Sequence, residues 1–218
     1  EIAKKNNSKF IFFSSSEIYG DPDPKYVPTK ETYRGNVSTL GPRACYDESK
    51  RLGETLCYIY NKYYKIHTNV IRPFNIYGPG MGQNDYRIFP NFISSILNKK
   101  KIKIYGSGEQ TRTYCYITDA IEGFMRVICL GKSGEAYNIG NNEPEVSVKD
   151  VFKVFEDINK GKISHVFVDH PKSYPKDEPQ RRCPDLIKSS KHLNYKPKIK
   201  LELGLKKYFS WANLHYKY

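Results

Sequence analysis

Short apolar runs alternate with amphipathic stretches along this chain. Residues 9–15 read KFIFFSS, a continuous apolar run that ends in small hydroxyl residues, and this pattern predicts a buried parallel strand. At 46–64, apolar side chains recur at three- and four-residue steps, which predicts a helix. A run at 69–72 that contains Val and Ile ends in proline and predicts a second strand. The strand–helix–strand order predicts an α/β fold with a parallel sheet and a right-handed crossover.

The alternation of helices and strands continues toward the C-terminus. The further predicted elements are a helix at 88–97, a strand at 102–105, a helix that begins near Thr118 and a strand at 136–139. Thr118 or Asp119 is expected to cap its helix, since both residue types accept hydrogen bonds from free backbone N–H groups. Ser147 and Asp150 have the spacing of a capping box for a helix through Ile158.

Residues 20–43 are rich in proline, glycine and charge, and this composition predicts a long loop. A loop of this length over a compact sheet is uncommon unless it binds something. Ligands gather at the carboxyl ends of parallel strands, and the loop begins just after the first of these ends. It is therefore a candidate cover for an active site.

Composition narrows the classes of function only slightly. The chain has 218 residues, 39% of them hydrophobic, and carries a formal net charge of +13 from 36 Lys plus Arg against 23 Asp plus Glu. This excess would suit an anionic partner, but the lysines are dispersed along the chain and are typical of a solvated surface. A non-catalytic RNA-binding protein is one alternative, although no motif of interleaved aromatic and basic residues supports it.

The cysteines and the apolar runs bear on the compartment. Five scattered cysteines show no paired spacing typical of a zinc site or a disulfide framework, so no metal is expected and a reducing compartment fits. No apolar run approaches the roughly 18 residues that span a bilayer. A cytoplasmic location is expected. The alternative is a secretory-pathway membrane anchor in a segment that precedes residue 1.

Tyr46 and Lys50 lie four residues apart at the head of the predicted helix and therefore share one face. The spacing alone occurs by chance in many helices. Its chemical interest is that an ammonium group close to a phenol lowers the pKa of the phenol from its ordinary value near 10. Such a pair can supply a catalytic proton acceptor. Ser16 and Glu17, after the first strand, offer a hydroxyl and a carboxylate at the same edge of the sheet.

Three motifs occur in a fixed order, SSSEIYG, YDESK and RPFNIYGPG, each at a predicted strand end or helix start. This combination resembles the extended short-chain dehydrogenase/reductases over nearly the whole chain. The segments KETYRGNVSTLGPRACYDESKRLGETL, GSGEQTRTYCYITDAIEG and DEPQRRCPDLIKSSKHLNYKPK are most similar to the UDP-glucuronate decarboxylases of this family. Ser16 followed by Glu17 is the decarboxylase pattern, whereas related dehydratases carry Asp and then Glu.

The resemblance implies a Rossmann-type doubly wound parallel sheet with a smaller mixed α/β substrate domain. Residues 1–78 and 114–140 would form the remaining part of the NAD-binding domain, and 79–113 and 141–218 the domain that binds a nucleotide sugar. It also implies a homodimer for the parent enzyme. Whether this chain by itself forms that dimer is left open, because the family interface uses the Tyr46 helix and the helix before it.

The resemblance also implies roles for individual residues. Tyr46 would be the base for the sugar 4-hydroxyl, and Lys50 would hold the nicotinamide ribose. Ser16 would hydrogen-bond the 4-oxygen, and Glu17 would act near C5. Asn75 would contact the diphosphate and the sugar, and Arg112 would pair with the diphosphate. Arg182 would lie near the substrate carboxylate, and Phe74 would contact the cofactor together with Tyr46 and Lys50.

The implied reaction is the NAD-dependent decarboxylation of UDP-glucuronate to UDP-xylose through a 4-keto intermediate. The ketone lies β to the carboxylate and can accept the electrons that carbon dioxide leaves behind. A nucleotide-sugar 4,6-dehydratase or 4-epimerase of the same family is the main alternative.

One part of the family pattern is missing. The sequence has no G-x-G-x-x-G turn between a first strand and a first helix, with an acidic residue about 20 positions later, to bind the NAD pyrophosphate. Residues 1–7 resemble the tail of a helix that precedes the fifth strand of a dinucleotide fold. We therefore expect roughly the first four strands to be absent. The 218-residue chain alone is expected to bind NAD weakly or not at all and to have no turnover.

Overall fold

The structure is a computed structural model that describes residues 1–169 and 179–217. Its α-helices in this part of the chain are α1 (Ile2–Lys5), α2 (Ala44–Tyr64), α3 (Ile88–Leu97), α4 (Ile117–Leu130), α5 (Val148–Ile158), α6 (Ile187–Leu193) and α7 (Leu201–His215). Its strands are β1 (Phe10–Phe13), β2 (Thr68–Pro73), β3 (Ile76–Tyr77), β4 (Ile102–Tyr105), β5 (Thr111–Arg112), β6 (Cys115–Tyr116), β7 (Ala136–Ile139), β8 (Val146–Ser147), β9 (His165–Val168) and β10 (Arg181–Arg182).

The predicted parallel sheet is confirmed. It has the order β1-β2-β7, and both pairings are parallel, with Phe12 opposite Val70 and Ile71 opposite Tyr137. Helix α2 connects β1 to β2, as the strand–helix–strand order predicts. The central strand β2 is buried along most of its length, with Ile71 fully inaccessible. The carboxyl ends of β1 and β2 therefore lie side by side at one edge of the sheet.

The first strand is parallel, as predicted, but the prediction that it is buried is wrong. Phe10 is 46% exposed and Phe13 44% exposed. Within 1–169 and 179–217, β1 pairs with β2 alone, so its other edge faces solvent and its apolar side chains are only partly covered. Aromatic contact shields part of this surface, since the rings of Phe13 and Phe124 meet edge to face at 5.0 Å between centroids.

The other strands form small sheets beside the first. Parallel pairs join β4 to β9 and β3 to β6, and β5 lies between β10 and β8. A large apolar cluster that includes Phe89, Phe155 and Tyr208 from α3, α5 and α7 packs on β3, β4 and β6. The parallel pairing of β5 with β10 places Arg182 directly opposite Arg112. Two residues far apart in sequence are thereby brought together.

The helix predictions hold, apart from one cap. The capping box of Ser147 and Asp150 is present at the start of α5. Neither Thr118 nor Asp119 caps α4, which begins at Ile117 without a side-chain cap. Asp119 is instead buried, and its carboxylate accepts hydrogen bonds from the backbone N–H groups of Lys198 and Ile199 at 2.9 and 2.8 Å. The carboxylate therefore anchors the segment before α7.

Helix α2 has the predicted periodicity, but its apolar stripe faces outward. Leu52, Leu56 and Tyr63 are 60%, 46% and 65% exposed, whereas Asp47 and Cys57 are buried. An apolar stripe on a helix ordinarily packs on a core or on a partner. No helix in the described part of the chain is long and apolar enough to cross a bilayer.

Residues 20–43 are a loop, as predicted. Gly20 and Asn36 form a bridge inside the loop, and Thr29 in its middle bridges to Pro184. Arg51 on α2 donates hydrogen bonds to the carbonyl oxygens of Ile18 and Arg34 at 3.1 and 2.9 Å. These contacts hold the loop over the carboxyl edge of the parallel sheet.

A second apolar cluster lies on the parallel sheet. It contains Ile71, Val127 and Tyr137, together with Leu193 and Tyr195 from the end of α6 and the segment after it. The chain thus returns to this sheet after residue 179, although the sequence assigned 141–218 to the substrate domain. The predicted division into two domains stays a prediction.

Candidate active site

Helix α2 brings Tyr46 and Lys50 to the carboxyl end of β1. The ammonium nitrogen Nζ of Lys50 donates a hydrogen bond to the carbonyl oxygen of Phe13 at 2.9 Å and lies 5.6 Å from the centroid of the Tyr46 ring. Tyr46 is 48% exposed, so its phenol is open to a ligand rather than packed inward. The predicted pair therefore exists as a spatial unit, with its ammonium anchored at the strand end.

Glu17 stands at the centre of a group of charged side chains. It lies in a 3-10 turn, Ser16–Tyr19, that follows β1. Arg182 donates from its two terminal nitrogens to the two carboxylate oxygens of Glu17, at 2.5 and 2.9 Å. Arg43, directly before α2, forms a second ion pair with the same carboxylate. The structure thus brings together Glu17 and Arg182, which the sequence had singled out separately.

The serines of the SSSEIYG motif differ in accessibility. Ser16 is 3% exposed. Ser15 is only half-buried, and its hydroxyl oxygen accepts a hydrogen bond from the backbone N–H of Glu17 at 3.2 Å. Ser14 is buried at the end of β1, and its hydroxyl has no hydrogen-bond partner among the described residues. The predicted contact of Ser16 with the sugar stays a prediction, and Ser15 is the more accessible hydroxyl.

Arg112 is buried and bonded to the chain itself. Its guanidinium donates to the carbonyl oxygens of Thr111 at 2.8 Å and Gln180 at 3.0 Å, and also to that of Pro179. These bonds connect β5 to the segment that leads into β10. In this structure Arg112 therefore helps to position the strand that carries Arg182, and its predicted contact with a diphosphate stays a prediction.

Asn75 follows β2 with a positive φ of 41°, a conformation that Asn adopts more readily than most residues. Its side-chain nitrogen Nδ2 donates to the carbonyl oxygen of Thr113 at 2.9 Å, and its backbone carbonyl accepts from the N–H of Cys115. Phe74 is 1% exposed, and its ring packs on Tyr19 at 5.9 Å between centroids. The predicted ligand contacts of Asn75 and Phe74 stay predictions.

Two further tyrosines near the site remain protonated near neutral pH. Burial raises the pKa of Tyr114 to about 12, although the charges of Arg112 and Arg182 act in the opposite direction. Burial also raises the pKa of Tyr19 well above its usual range. Neither phenol is suited to accept a proton, because a catalytic base works best when its pKa lies near the working pH. Tyr46 differs from both in its exposure.

A buried polar network supports the turn that carries Glu17. Arg72 on β2 makes two hydrogen bonds to the carboxylate of Glu54 on α2, at 2.9 and 2.5 Å, and a third to the hydroxyl of Tyr19 at 2.7 Å. The Tyr19 hydroxyl in turn donates to Asn138 on β7 at 2.8 Å. Buried networks of this kind fix one arrangement, since each partner satisfies another. Residues Ser16–Tyr19 are thereby fastened to both strands and to α2.

Arg43 and the pair of Arg72 and Glu54 belong to this arrangement but were not predicted from the sequence. Arg43 lies three residues before Tyr46 in the motif PRACYDESK, so a charged residue on the same helical face as Tyr46 was the available signal. No comparable signal existed for Arg72 and Glu54, because their contact depends on the packing of α2 against β2.

The chain has relatives among curated UDP-glucuronic acid decarboxylases. The chain is 38% identical over 208 residues to UDP-glucuronic acid decarboxylase 1 of Xenopus tropicalis, which covers 94% of this chain and 47% of that protein. It is 36% identical over 204 residues to UDP-glucuronic acid decarboxylase 1 of Arabidopsis thaliana, covering 94% of this chain and 45% of the relative. The chain thus spans about half the length of the curated relatives that it matches.

Solved structures with the same fold include sugar-nucleotide epimerases. UDP-glucuronic acid 4-epimerase from Bacillus cereus, in complex with UDP-glucuronic acid and NAD, is 30% identical with a TM-score of 0.78, covering 95% of this chain and 62% of that one. UDP-glucose 4-epimerase from Thermotoga maritima, with UDP-glucose, is 25% identical with a TM-score of 0.86, covering 99% and 67%.

A model of one family matches more than half of the chain. The match covers residues 1–140, which include the parallel sheet, the Tyr46 and Lys50 pair, and the turn with Glu17. The mixed α/β architecture with parallel strands is that of the Rossmann-type short-chain dehydrogenase/reductases. On this evidence the chain belongs to the NAD dependent epimerase/dehydratase family, the extended short-chain dehydrogenase/reductases.

Proposed function

We propose that the protein that carries this chain is a UDP-glucuronate decarboxylase that forms UDP-xylose with NAD as a catalytic cofactor. The observation that carries the proposal is the pair of hydrogen bonds between Glu17 and Arg182, next to the start of the helix that presents the half-exposed Tyr46. A planar guanidinium matches a carboxylate with two parallel hydrogen bonds, so Arg182 is suited to the carboxylate of a glucuronate. The curated relatives with this activity add support.

The residues at the end of β1 fit the nicotinamide end of NAD. Lys50 is fixed by the Phe13 carbonyl and lies next to the open phenol of Tyr46, so its ammonium can reach a ribose hydroxyl placed there. When bound, NAD would take a hydride from C4 of the sugar and return it, which makes C4 a ketone β to the carboxylate in between. Residues 1–218 contain no G-x-G-x-x-G turn, so the residues proposed here would hold only the nicotinamide end of NAD.

The chain's own groups have separate tasks. Tyr46 would accept the proton of the sugar 4-hydroxyl, with the positive charge of Lys50 stabilising the phenolate. A hydroxyl from Ser15 or Ser16 would donate a hydrogen bond to the 4-oxygen, where negative charge gathers as the carboxylate carbon leaves. Glu17 lies in the same turn and would act near C5, where a proton replaces carbon dioxide. These tasks require the turn Ser16–Tyr19 to stay fixed against α2.

A 4-epimerase acting on UDP-glucuronate is the second candidate. It is favoured by the likeness to the Bacillus cereus epimerase, whose structure contains UDP-glucuronic acid and NAD. The two reactions share the removal of the 4-hydroxyl proton, and they differ in whether the carboxylate remains on the sugar. The loss of carbon dioxide therefore separates the two candidates.

The deciding experiment supplies UDP-glucuronate labelled with carbon-13 in its carboxylate to the full-length protein with NAD. A decarboxylase releases labelled carbon dioxide and forms UDP-xylose in equal amounts, both of which nuclear magnetic resonance detects. An epimerase keeps the label and forms UDP-galacturonate. The Tyr46→Phe variant is the control, since it should form neither product at a comparable rate. Retention of the label at full conversion would refute the decarboxylase proposal.

The full-length protein is further proposed to be a homodimer that pairs through α2. The exposed Leu52, Leu56 and Tyr63 form an apolar stripe along one side of this helix. Burying such a stripe against its symmetry mate would remove apolar surface from water on both partners. The stripe lies on the same helix as Tyr46, so dimer formation would also stiffen the helix that carries the proposed base.

A further inference from the structure

Four charged side chains near the start of α2, the helix that carries Tyr46, are linked to one another by ion pairs. Arg182 contacts Glu17, Glu17 also contacts Arg43, and the Nε atom of Arg43 lies 3.8 Å from a carboxylate oxygen of Asp47. The side chains are largely shielded, with relative exposures of 7% for Arg182, 20% for Arg43, 21% for Glu17 and 5% for Asp47. Shielded pairs are screened less by salt than surface pairs, and removal of one partner leaves the other charge buried without compensation.

The arrangement gives one carboxylate two guanidinium partners. Arg182 comes from β10, whereas Arg43 directly precedes α2 and is one helical turn from Asp47. Asp47 is buried, and its carboxylate gives Arg43 a second acidic neighbour besides Glu17. If Arg182 left Glu17, the carboxylate would keep one charged partner, and that partner is fixed to the helix that carries Tyr46. A carboxylate with Arg182 alone would instead lose its only strong contact at the moment when Arg182 turned to a ligand.

We propose that Arg43 is a positioning residue that holds Glu17 in place while Arg182 turns from Glu17 to the carboxylate of the bound sugar nucleotide. This inference rests on the proposed function, because it needs a substrate with a carboxylate. Arg43 does not touch the substrate in this scheme. It keeps Glu17 at a fixed place relative to α2, and thus relative to Tyr46, when the Arg182 contact is exchanged.

The test compares three variants of the full-length protein with NAD, namely Arg43→Gln, Arg43→Lys and Arg182→Gln. Loss of Arg43 is expected to lower kcat for UDP-glucuronate by about 100-fold, the effect of a small misplacement of a reacting group, with KM changed less than about threefold. Lys at position 43 keeps the charge and should restore a large part of kcat. Arg182→Gln should instead weaken the binding of UDP-glucuronate, measured by calorimetry, and leave the binding of UDP unchanged.

Arg126→Gln is the matched control. Arg126 also pairs with a carboxylate, that of Glu122 at 2.8 Å, but on α4 and away from the site. Its removal should leave kcat and KM unchanged. Circular dichroism melting of all four variants shows whether each is folded at the assay temperature. If Arg43→Gln is not folded, Arg43→Lys keeps the test decisive.

The outcomes separate this inference from the proposed function. An unchanged kcat in Arg43→Gln, or a KM raised as much in Arg43→Gln as in Arg182→Gln, would overturn the role of Arg43 and leave the decarboxylase intact. Equal losses of kcat in Arg43→Lys and Arg43→Gln, both folded, would also overturn it. A wild-type protein that epimerises UDP-glucuronate without releasing carbon dioxide would refute the decarboxylase proposal. The positioning role would stand if, in that reaction, Arg43→Gln lowers kcat and Arg182→Gln weakens the binding of UDP-glucuronate.

Discussion

The carboxylate of Glu17 and the guanidinium of Arg182 are joined by two hydrogen bonds, of 2.5 and 2.9 Å, across 165 positions of the chain. The bond connects the turn after the first strand of the parallel sheet to a short strand near the C-terminus. It places an acidic and a basic group from opposite ends of the chain beside the helix that presents Tyr46. This pair of charges therefore forms only when both ends of the chain are folded together.

Replacement of Tyr46 by Phe should lower kcat by about 10² to 10⁴, the usual share of a general base, while the fold is retained because Tyr46 is half-exposed. Lys50→Met should lower kcat as well, since the phenolate loses its neighbouring charge. Tyr58 and Lys62 are a matched control, because they lie on the same helix with the same spacing as Tyr46 and Lys50. Lys62 donates a hydrogen bond to the Tyr58 hydroxyl at 2.9 Å, whereas Lys50 is bonded to the end of β1. Turnover in Tyr58→Phe should equal that of the wild type, and equal losses in Tyr58→Phe and Tyr46→Phe would contradict the assignment.

The two serines before Glu17 should differ when each is replaced by Ala. Ser15 is half-buried and bonds the N–H of Glu17, whereas Ser16 is 3% exposed inside the turn. We expect Ser15→Ala to lose more of kcat than Ser16→Ala, because the accessible hydroxyl can reach a sugar oxygen. Steady-state kinetics on both variants decides between them. A larger loss for Ser16→Ala would return the role to the residue that the family resemblance implied.

Breaking the ion pair of Arg72 and Glu54 should destabilise the protein strongly. Arg72→Met leaves the shielded carboxylate of Glu54 without its partner, which costs on the order of 3–5 kcal/mol of unfolding free energy. Urea unfolding measures the loss. Glu122→Gln, which breaks the more exposed pair with Arg126, should cost about 0–1 kcal/mol. Similar losses in the two variants would show that Arg72 does not anchor the turn. The double variant Arg72→Met with Glu54→Leu should recover part of the loss, since no lone charge remains.

The carboxyl of Glu31 should make stability depend on pH in a specific direction. Burial raises the pKa of Glu31 above its ordinary value of 4.5, partly opposed by a hydrogen bond from the N–H of Asn138. The folded chain therefore holds this proton more tightly than the unfolded chain, and its stabilising contribution, complete below 4.5, is lost as pH rises through the folded pKa. Glu31→Gln keeps an oxygen for Asn138 and cannot ionise. Its Tm relative to wild type should thus increase from pH 4 to pH 7.

A Tm difference between Glu31→Gln and wild type that stays flat from pH 4 to pH 7 would contradict this prediction. It would mean that the buried carboxyl does not titrate differently in the folded and unfolded chains.

The apolar stripe on α2 should control the oligomeric state of the full-length protein. Leu52→Glu combined with Leu56→Glu places two charges in the proposed interface and should convert the dimer to a monomer, as measured by light scattering after gel filtration. Leu203→Glu, an exposed leucine on α7, should leave the mass unchanged. A dimer that persists in the double variant would place the interface elsewhere.

The sequence determined much of the secondary structure. The helix at 88–97, the strands at 102–105 and 136–139, and the capping box at Ser147 all match the structure, because each depends on periodicity or capping within a few residues. The pairing of Tyr46 with Lys50 followed from the same local rule, since a spacing of four residues fixes a shared helix face. The parallel sheet was likewise predictable from the order of strand, helix and strand.

Only the tertiary structure decided which surfaces are covered and which charges meet. Phe10 and Phe13 have the pattern of a buried strand, yet they are partly exposed because burial depends on neighbouring strands and helices rather than on the strand itself. The contacts of Glu17 with Arg182 and Arg43, and of Arg72 with Glu54, join residues far apart in sequence. No local periodicity encodes such pairs. They arise when α2 packs against the parallel sheet and β10 pairs with β5, and this packing brings separate charges together.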